Sequence, residues 1–359
     1  MTMKTISKIL ITSFVLSFLF ISSGYSQYAS KAIRPVHKAY TDSLKKMNYD
    51  RVFPFWGTKA YKRGIDIPYP IGFMANYFWM DQGILMNNFQ LGINRPDGSE
   101  LLPLTPLDEE ILSFGENTNQ SWSLNVRPDI WVFPFIDLYG IFGYGRSTTT
   151  VQAIVLGETL PTKPVEQGIT TYGVGTLLAG GVGPVWLSLD ANVTWNKPEL
   201  LDKATFANVI GLRMGKLFKF RKRPQSNISL WIGTMYVTMQ AETMGAIKLN
   251  EAIEDYDGFK NNLAQNIQDK IDDPDTRPIL KPILNKLKDA VENSTGESTI
   301  LYNMDKQVKQ HWNGLIGAQY QINKNWQFRV EGGVIGDRKS YLLSLNYRIL
   351  GFRKKAKVF

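Results

Sequence analysis

From about residue 71 the chain alternates apolar and polar residues with period two, interrupted by turn residues, for most of its length. That period is the mark of strands with one buried and one solvated face. It predicts ten strands, near 71–94, 119–133, 137–152, 168–181, 185–196, 204–217, 227–245, 311–322, 325–336 and 339–350. In 185–196 one face carries Val185, Leu187, Leu189, Ala191, Val193 and Trp195, and the other Trp186, Ser188, Asp190, Asn192, Thr194 and Asn196. In 325–336 Trp326, Phe328, Val330 and Val334 oppose Gln327, Arg329 and Glu331; in 339–350 Tyr341, Leu343, Leu345, Tyr347 and Ile349 oppose Ser344, Asn346 and Arg348. The third, fourth and seventh strands carry glycines and apolar residues on both faces.

Alternation alone does not distinguish a soluble sandwich from a barrel in lipid. Three features favour the barrel. Eight of the nine tryptophans (Trp79, Trp122, Trp131, Trp186, Trp195, Trp231, Trp312 and Trp326) fall in the strands, as an interfacial aromatic girdle requires. The strands exceed the roughly five or six residues usual in soluble sheets. Loop lengths alternate, short at 134–136, 182–184 and 323–324 and long at 95–118, 153–167 and 246–310. The expected fold is all-β, an antiparallel transmembrane barrel of about ten strands, with twelve as the alternative count. With both termini periplasmic, the short turns and the nine-residue turn 218–226 fall on the periplasmic side and the long loops outside. The turn at Asp337 and Arg338 is the short external one.

Two segments stand apart from the strands of the expected barrel, which spans residues 71–352. Residues 27–70 carry a helical stretch from His37 to Met47 and then an aromatic, basic, turn-rich run. They form either a plug in the barrel mouth or a loosely ordered periplasmic tail. Residues 248–293, between the seventh and eighth strands, read as two amphipathic helices: Ile253, Leu263, Ile267 and Ile271 mark the first, and Leu280, Leu284, Leu287 and Val291 the second. A basic tail, 353–359, ends the chain.

Residues 1–26 resemble a signal peptide, with Lys4 and Lys8 before an apolar run from Ile9 to Ile21 and small residues near a cleavage site. Its removal deletes two lysines and no acid, lowering the formal charge from +9 to +7. The expected destination is the cell outer membrane. Beyond this segment no apolar run reaches the ~18 residues of a membrane helix. Mean hydropathy is slightly polar at −0.19, as expected when lipid-facing and lumen-facing residues are averaged together. The absence of cysteine excludes disulfides, thiolate metal sites and a cysteine nucleophile. With His37 and His311 as its two histidines, the chain offers no multi-histidine metal centre, and no cofactor is expected.

The polar faces carry Arg127 and Asp129, Asp190, Arg213, Arg329 and Glu331, and Arg348. Ionisable groups at membrane depth pair or face water, so these seven are the candidate lumen lining. They form either a charged constriction that selects a solute or an ion-pair network filling a narrow lumen. His311 begins a strand on the external side, but KQVKQHWNGL offers it no neighbouring acid or nucleophile. Asp272, Asp273 and Asp275 lack the glycine and terminal glutamate of a calcium loop and read as an inter-helix turn. The run GVGTLLAGG is glycine-rich like a nucleotide-binding loop. It lies inside a strand, however, where glycines ease curvature and close packing. The clusters KLFKFRKR and RKKAKVF suit anionic lipid headgroups, and nothing supports nucleic-acid binding.

The segments YPIGFMANYFWMDQ, RPDIWVFPFIDLYGIFGYG, TTYGVGTLLAGGVGPVWLSLDANVTW and NGLIGAQYQINKNWQFRVEGGVIGDRKSYLLSLNYRI resemble, in order, a family of Gram-negative outer-membrane β-barrels with no assigned biochemical activity. The resemblance covers residues 60–350 and brings no catalytic residues. It implies outer-membrane lipids as surroundings and insertion by the barrel-assembly machinery, through an aromatic-rich last strand YLLSLNYRILGF ending at Phe352. Continuation to Phe359 departs from that pattern. Three functions follow as expectations: porin-like binding or passage of a small solute through a narrow charged lumen; a structural or interaction barrel with a closed lumen and a partner-binding helical insert; and, least favoured, an outer-membrane hydrolase using His311. A non-enzymatic role is expected.

Overall fold

The computed structural model describes residues 35–182, 185–200, 204–239 and 242–354. The signal segment, residues 27–34, turn residues 183–184 and the tail beyond residue 354 lie outside the described residues. β1 (Ile71–Asn94) is followed by the short β2 (Glu100–Pro106) and β3 (Leu112–Phe114), then by β4 (Asn117–Phe133) and β5 (Ile136–Thr150). Short β6 (Ala153–Val155) and β7 (Glu158–Thr159) precede β8 (Val165–Val182), β9 (Val185–Pro198), β10 (Thr205–Lys219) and β11 (Asn227–Met239). β12 (Glu242–Lys248) and β13 (Thr299–Val308) flank a helical insert, and β14 (Trp312–Gln321), β15 (Trp326–Ile335) and β16 (Lys339–Ile349) follow.

Ten strands close into one antiparallel barrel in the order β1-β4-β5-β8-β9-β10-β11-β14-β15-β16, with β16 returning to β1. Pairing the first strand with the last leaves no edge, so every backbone N–H and C=O in lipid has a partner. Paired residues share a face. Thus Phe73, opposite Tyr347 and Pro128, points out, while Gly72, opposite Arg348 and Asp129, points in. The outer face carries Phe73, Leu124, Phe142, Val174, Ile232 and Ile316, all exposed. An apolar belt on a closed barrel is what hydrocarbon contact demands, and the protein is an outer-membrane β-barrel.

One expected boundary is corrected. The seventh strand, read as 227–245, ends at Met239, and β12 begins after it as a separate strand that pairs with β13. β13 in turn pairs with the far half of β1, from Ile84 to Asn94. This half projects past the barrel wall, and β2 pairs with its end. The register of β1 against β13 breaks between Asn87 and Gln90, where Asn88 has φ 52°. The extra residue is a β-bulge, and it reverses the parity of the strand. Met80, Gln82 and Met86 line the interior before it, and Phe89, Leu91 and Ile93 after it.

Helices α1 (Pro35–Lys46) and α2 (Gly57–Lys62) precede the barrel; α3 (Leu249–Ala252), α4 (Tyr256–Asp272) and α5 (Lys281–Asn293) form the insert. α4 and α5 bury Leu263, Ile267, Leu284 and Leu287 against Ile93, Leu102 and Ile111 of the β1 extension, β2 and the following loop. This packing lays the helix pair over the long-loop end. At the opposite end α1, α2 and the chain to residue 70 fold on a small core of Leu44, Tyr49, Ala60, Tyr61 and Ile67. That unit is an ordered cap. His37 Nε2 meets the Phe220 carbonyl at 2.9 Å, the Phe55 amide donates to Val132 O, and Lys324 pairs with Asp66 at 2.7 Å. The Val52 amide and Phe352 O tie the cap to the chain end as well.

Candidate functional site

The lumen encloses a cavity of about 1840 Å³, against roughly 300–1,000 Å³ for ordinary ligand pockets. Leu263, Leu287 and Val291 of the insert line one end and His37, Asp66 and Pro68 of the cap the other. The cavity therefore runs the length of the barrel between the two closures.

All seven candidate lumen residues point inward, and the fold gathers six of them into two ion-pair groups. In the first, Arg348 Nη2 on β16 donates to Asp129 Oδ1 on β4 at 2.5 Å, and Arg348 Nε donates to the Tyr69 carbonyl at 2.8 Å. The intervening strand is β1, whose Gly72 lies between the partners; a Cβ there would stand 2.4 Å from Asp129 Oδ2 and 2.7 Å from Arg348 Nη1. Only a glycine lets the pair close across that strand. In the second, Arg213 on β10 donates to Asp190 on β9, and through Nε and Nη2 to Glu331 on β15, at 2.6 and 2.8 Å. Arg329 Nη2 and Trp231 Nε1 donate to Glu331 Oε2 at 2.8 and 2.9 Å. Since β11 and β14 separate β10 from β15 in the wall, the Arg213–Glu331 pair spans a chord of the lumen.

Arg127 joins neither group. Its guanidinium lies 3.3 Å from the ring centre of Tyr139, whose hydroxyl accepts from Asn192 Nδ2 at 3.4 Å. Gly175 on β8 makes this stack possible, because a Cβ there would stand 2.4 Å from the Tyr139 ring. The glycine-rich run thus serves close packing inside a strand. Tyr139 is a lumen residue the sequence reading missed. Its parity with Asp137 and the facing glycine were the available signals.

Three of the eight girdle tryptophans are corrected. Trp131, Trp186 and Trp231 point into the lumen: Trp186 Nε1 donates to Ser229 Oγ at 2.8 Å, Trp231 to Glu331, and Trp131 lies 6.0 Å from the Arg348 guanidinium. Each shares strand parity with polar neighbours: Trp131 with Asp129, Trp186 with Ser188, Trp231 with Ser229. Trp79, Trp122, Trp195 and Trp312 belong to the outer face toward the long-loop end, and Trp326 toward the short turns. Outer-face pairs reinforce them, with Trp79 stacked on Tyr341 at 5.5 Å, Tyr172 on Trp195 at 5.6 Å and Trp326 against Tyr347 at 4.6 Å.

The other candidates are structural where the described residues show them. His311 Nδ1 meets the Val237 carbonyl at 2.8 Å, with its ring against Tyr236. The aspartates between α4 and α5 form a turn, with Asp273 Oδ1 accepting the Asp275 amide at 2.9 Å. No group of three or more metal-ligating side chains occurs among the described residues. At the cap, burial pulls the Lys324 ammonium down, but the Asp66 carboxylate outweighs it and holds the proton above the usual lysine range.

No protein-family model and no curated protein matches the chain. Among solved structures it is similar to the translocator domain of the autotransporter NalP from Neisseria meningitidis, at 12% identity over 87% of this chain and 99% of that one, with a TM-score of 0.33. The β-domain of a Bordetella autotransporter aligns at 10% identity over 78% and 100%, with a TM-score of 0.32. The toluene transporter TodX of Pseudomonas putida aligns at 8% over 90% and 93%, with a TM-score of 0.27. Scores this low leave the lumen's own geometry as the basis for function.

Proposed function

We propose that the protein binds a small solute in its lumen and passes it across the outer membrane when the two closures open. The observation that carries this reading is the single long cavity bounded by the helical lid and the N-terminal cap. A barrel serving only as scaffold has no need for so large an interior void, since close packing is the rule for protein interiors. The ion-pair groups then act as the fixed charged lining that a solute meets in transit.

The reading as an interaction barrel is less favoured, because the apolar face of the insert packs within the lid. The proposal includes no catalytic step. Planar-bilayer recording tests it with intact protein and with a variant lacking residues 255–294 and carrying Asp66→Asn. The intact barrel is expected to be silent and the variant to conduct. Silence of both, with the variant still showing a folded heat-modifiable band, overturns passage.

A further inference from the structure

Among the described residues that line the cavity, nine lysines and arginines stand against five acids once Arg146 and Lys216, outward by their pairing with Trp122 and Leu230, are set aside. Four of those acids are ion-paired: Asp66 with Lys324, Asp129 with Arg348, Asp190 with Arg213, and Glu331 with Arg213 and Arg329. The surplus is therefore cationic, and two members of it at the lid end make no salt bridge. Arg338, in the turn between β15 and β16, is 2% exposed. Its Nε donates to Gln82 Oε1 at 2.7 Å, while Nη1 and Nη2 are buried without a partner. Lys306 on β13 lies opposite Met86 and also lines the cavity. Burial alone pulls its ammonium down, to about 8.

The acids next to them in sequence are engaged elsewhere. Asp337 accepts the Gly83 amide at 2.7 Å, and Asp305 accepts from Asn88 at 2.6 Å. A guanidinium with two buried, unused NH2 groups is costly unless an anion completes it. Apolar side chains line much of the chamber beyond these cations: Met86, Phe89 and Ile93 from β1, Met304 from β13, and Leu263 and Leu287 from the lid. Methionine suits a chamber that adapts to a flexible chain.

The placement of these cations along β1, Arg338 at Gln82 and Lys306 opposite Met86, points to a binding site, beneath the lid, for an amphipathic anion: a carboxylate-like head that meets the Arg338 guanidinium, with Lys306 four positions farther along the strand, and an aliphatic body in the chamber. The assignment rests on the lumen being a binding cavity, and names what it binds. Protein in neutral-lipid nanodiscs, titrated by calorimetry with decanoate, decanol and decyltrimethylammonium and corrected for empty nanodiscs, tests it. Decanoate is expected to saturate, with the alcohol and the cation weaker by about tenfold or more. Arg338→Gln and Lys306→Met are each expected to weaken decanoate by a similar factor and leave decanol unchanged, with the folded band retained. Decanol binding as tightly as decanoate, or decanoate binding unchanged in both variants, overturns the assignment. Nanodiscs containing phosphatidylglycerol separate the sources: unchanged decanoate affinity assigns the site to a free carboxylate, and competition assigns it to a membrane lipid. Equilibrium binding needs no conduction, so bound decanoate in a barrel that never conducts sinks passage and leaves this site standing.

Discussion

Arg213 is the residue on which one side of the lumen turns. It joins Asp190 and Glu331 from strands on either side of it, and all three side chains are nearly buried. Arg213→Met leaves two carboxylates without their shared cation. Removing one partner of a buried ion pair costs about 3–5 kcal/mol, most of it the stranded charge. The expected result is a lower urea midpoint, read from folded and unfolded bands on a gel. Glu331→Gln is expected to be milder, because Arg213 keeps Asp190. Gly175→Val tests the other side. Its side chain would collide with the rigid Tyr139 ring rather than with a flexible tip, displacing the platform under Arg127. Overpacking of this kind costs about 1–3 kcal/mol, so the midpoint should fall here too. In planar-bilayer recordings of the lid-deleted, cap-released barrel, the reversal potential should move as Arg127 loses its fixed position.

At the scale of elements, the ten wall strands were legible because lipid enforces strict alternation over their whole length. Face parity also placed the seven charged residues inward. Treating each strand tryptophan as interfacial overrode that same parity at Trp131, Trp186 and Trp231. The lid strands were not legible. β2, β12 and β13 stand beyond the bilayer, where no lipid imposes a period, and the bulge at Asn88 changes the face of β1 midway. Neither Lys306 nor Arg338 stood out as a lumen residue, one lying inside a segment read as loop and the other in a turn. The order of the cap was hidden too, since His37, Phe55 and Asp66 find partners more than seventy residues away. The lid's own stability is open to test through Leu284, which is 0% exposed. Leu284→Ala should cost about 2–5 kcal/mol of lid packing. Limited proteolysis should then cut within 248–293 faster than in the parent, while the barrel keeps its urea midpoint.

For the whole molecule, the lid and the cap bound one cavity from opposite ends, so they act as resistances in series. Opening one leaves current limited by the other; opening both removes the limit. Deletion of 255–294 alone and Asp66→Asn alone should each give small conductance, and the combination a conductance well above the sum of the two. A sum that matches the combination would mean two separate paths, which a single barrel cannot hold. The Asp66–Lys324 latch also has a defined pH range. Asp66 raises the Lys324 proton affinity above its ordinary 10.5, so the latch's contribution is complete below that pH and is lost only as pH climbs through the raised value. Between pH 7 and 10 the lid-deleted barrel should therefore show constant conductance. Asp66→Asn removes the paired carboxylate and leaves the Lys324 ammonium, 10% exposed, without its acid. Burial then dominates, its proton affinity falls, and the cap is weakened across the same range. Faster protease cutting within residues 35–70 in that variant, together with the greater-than-additive conductance, identifies the cap as the second gate.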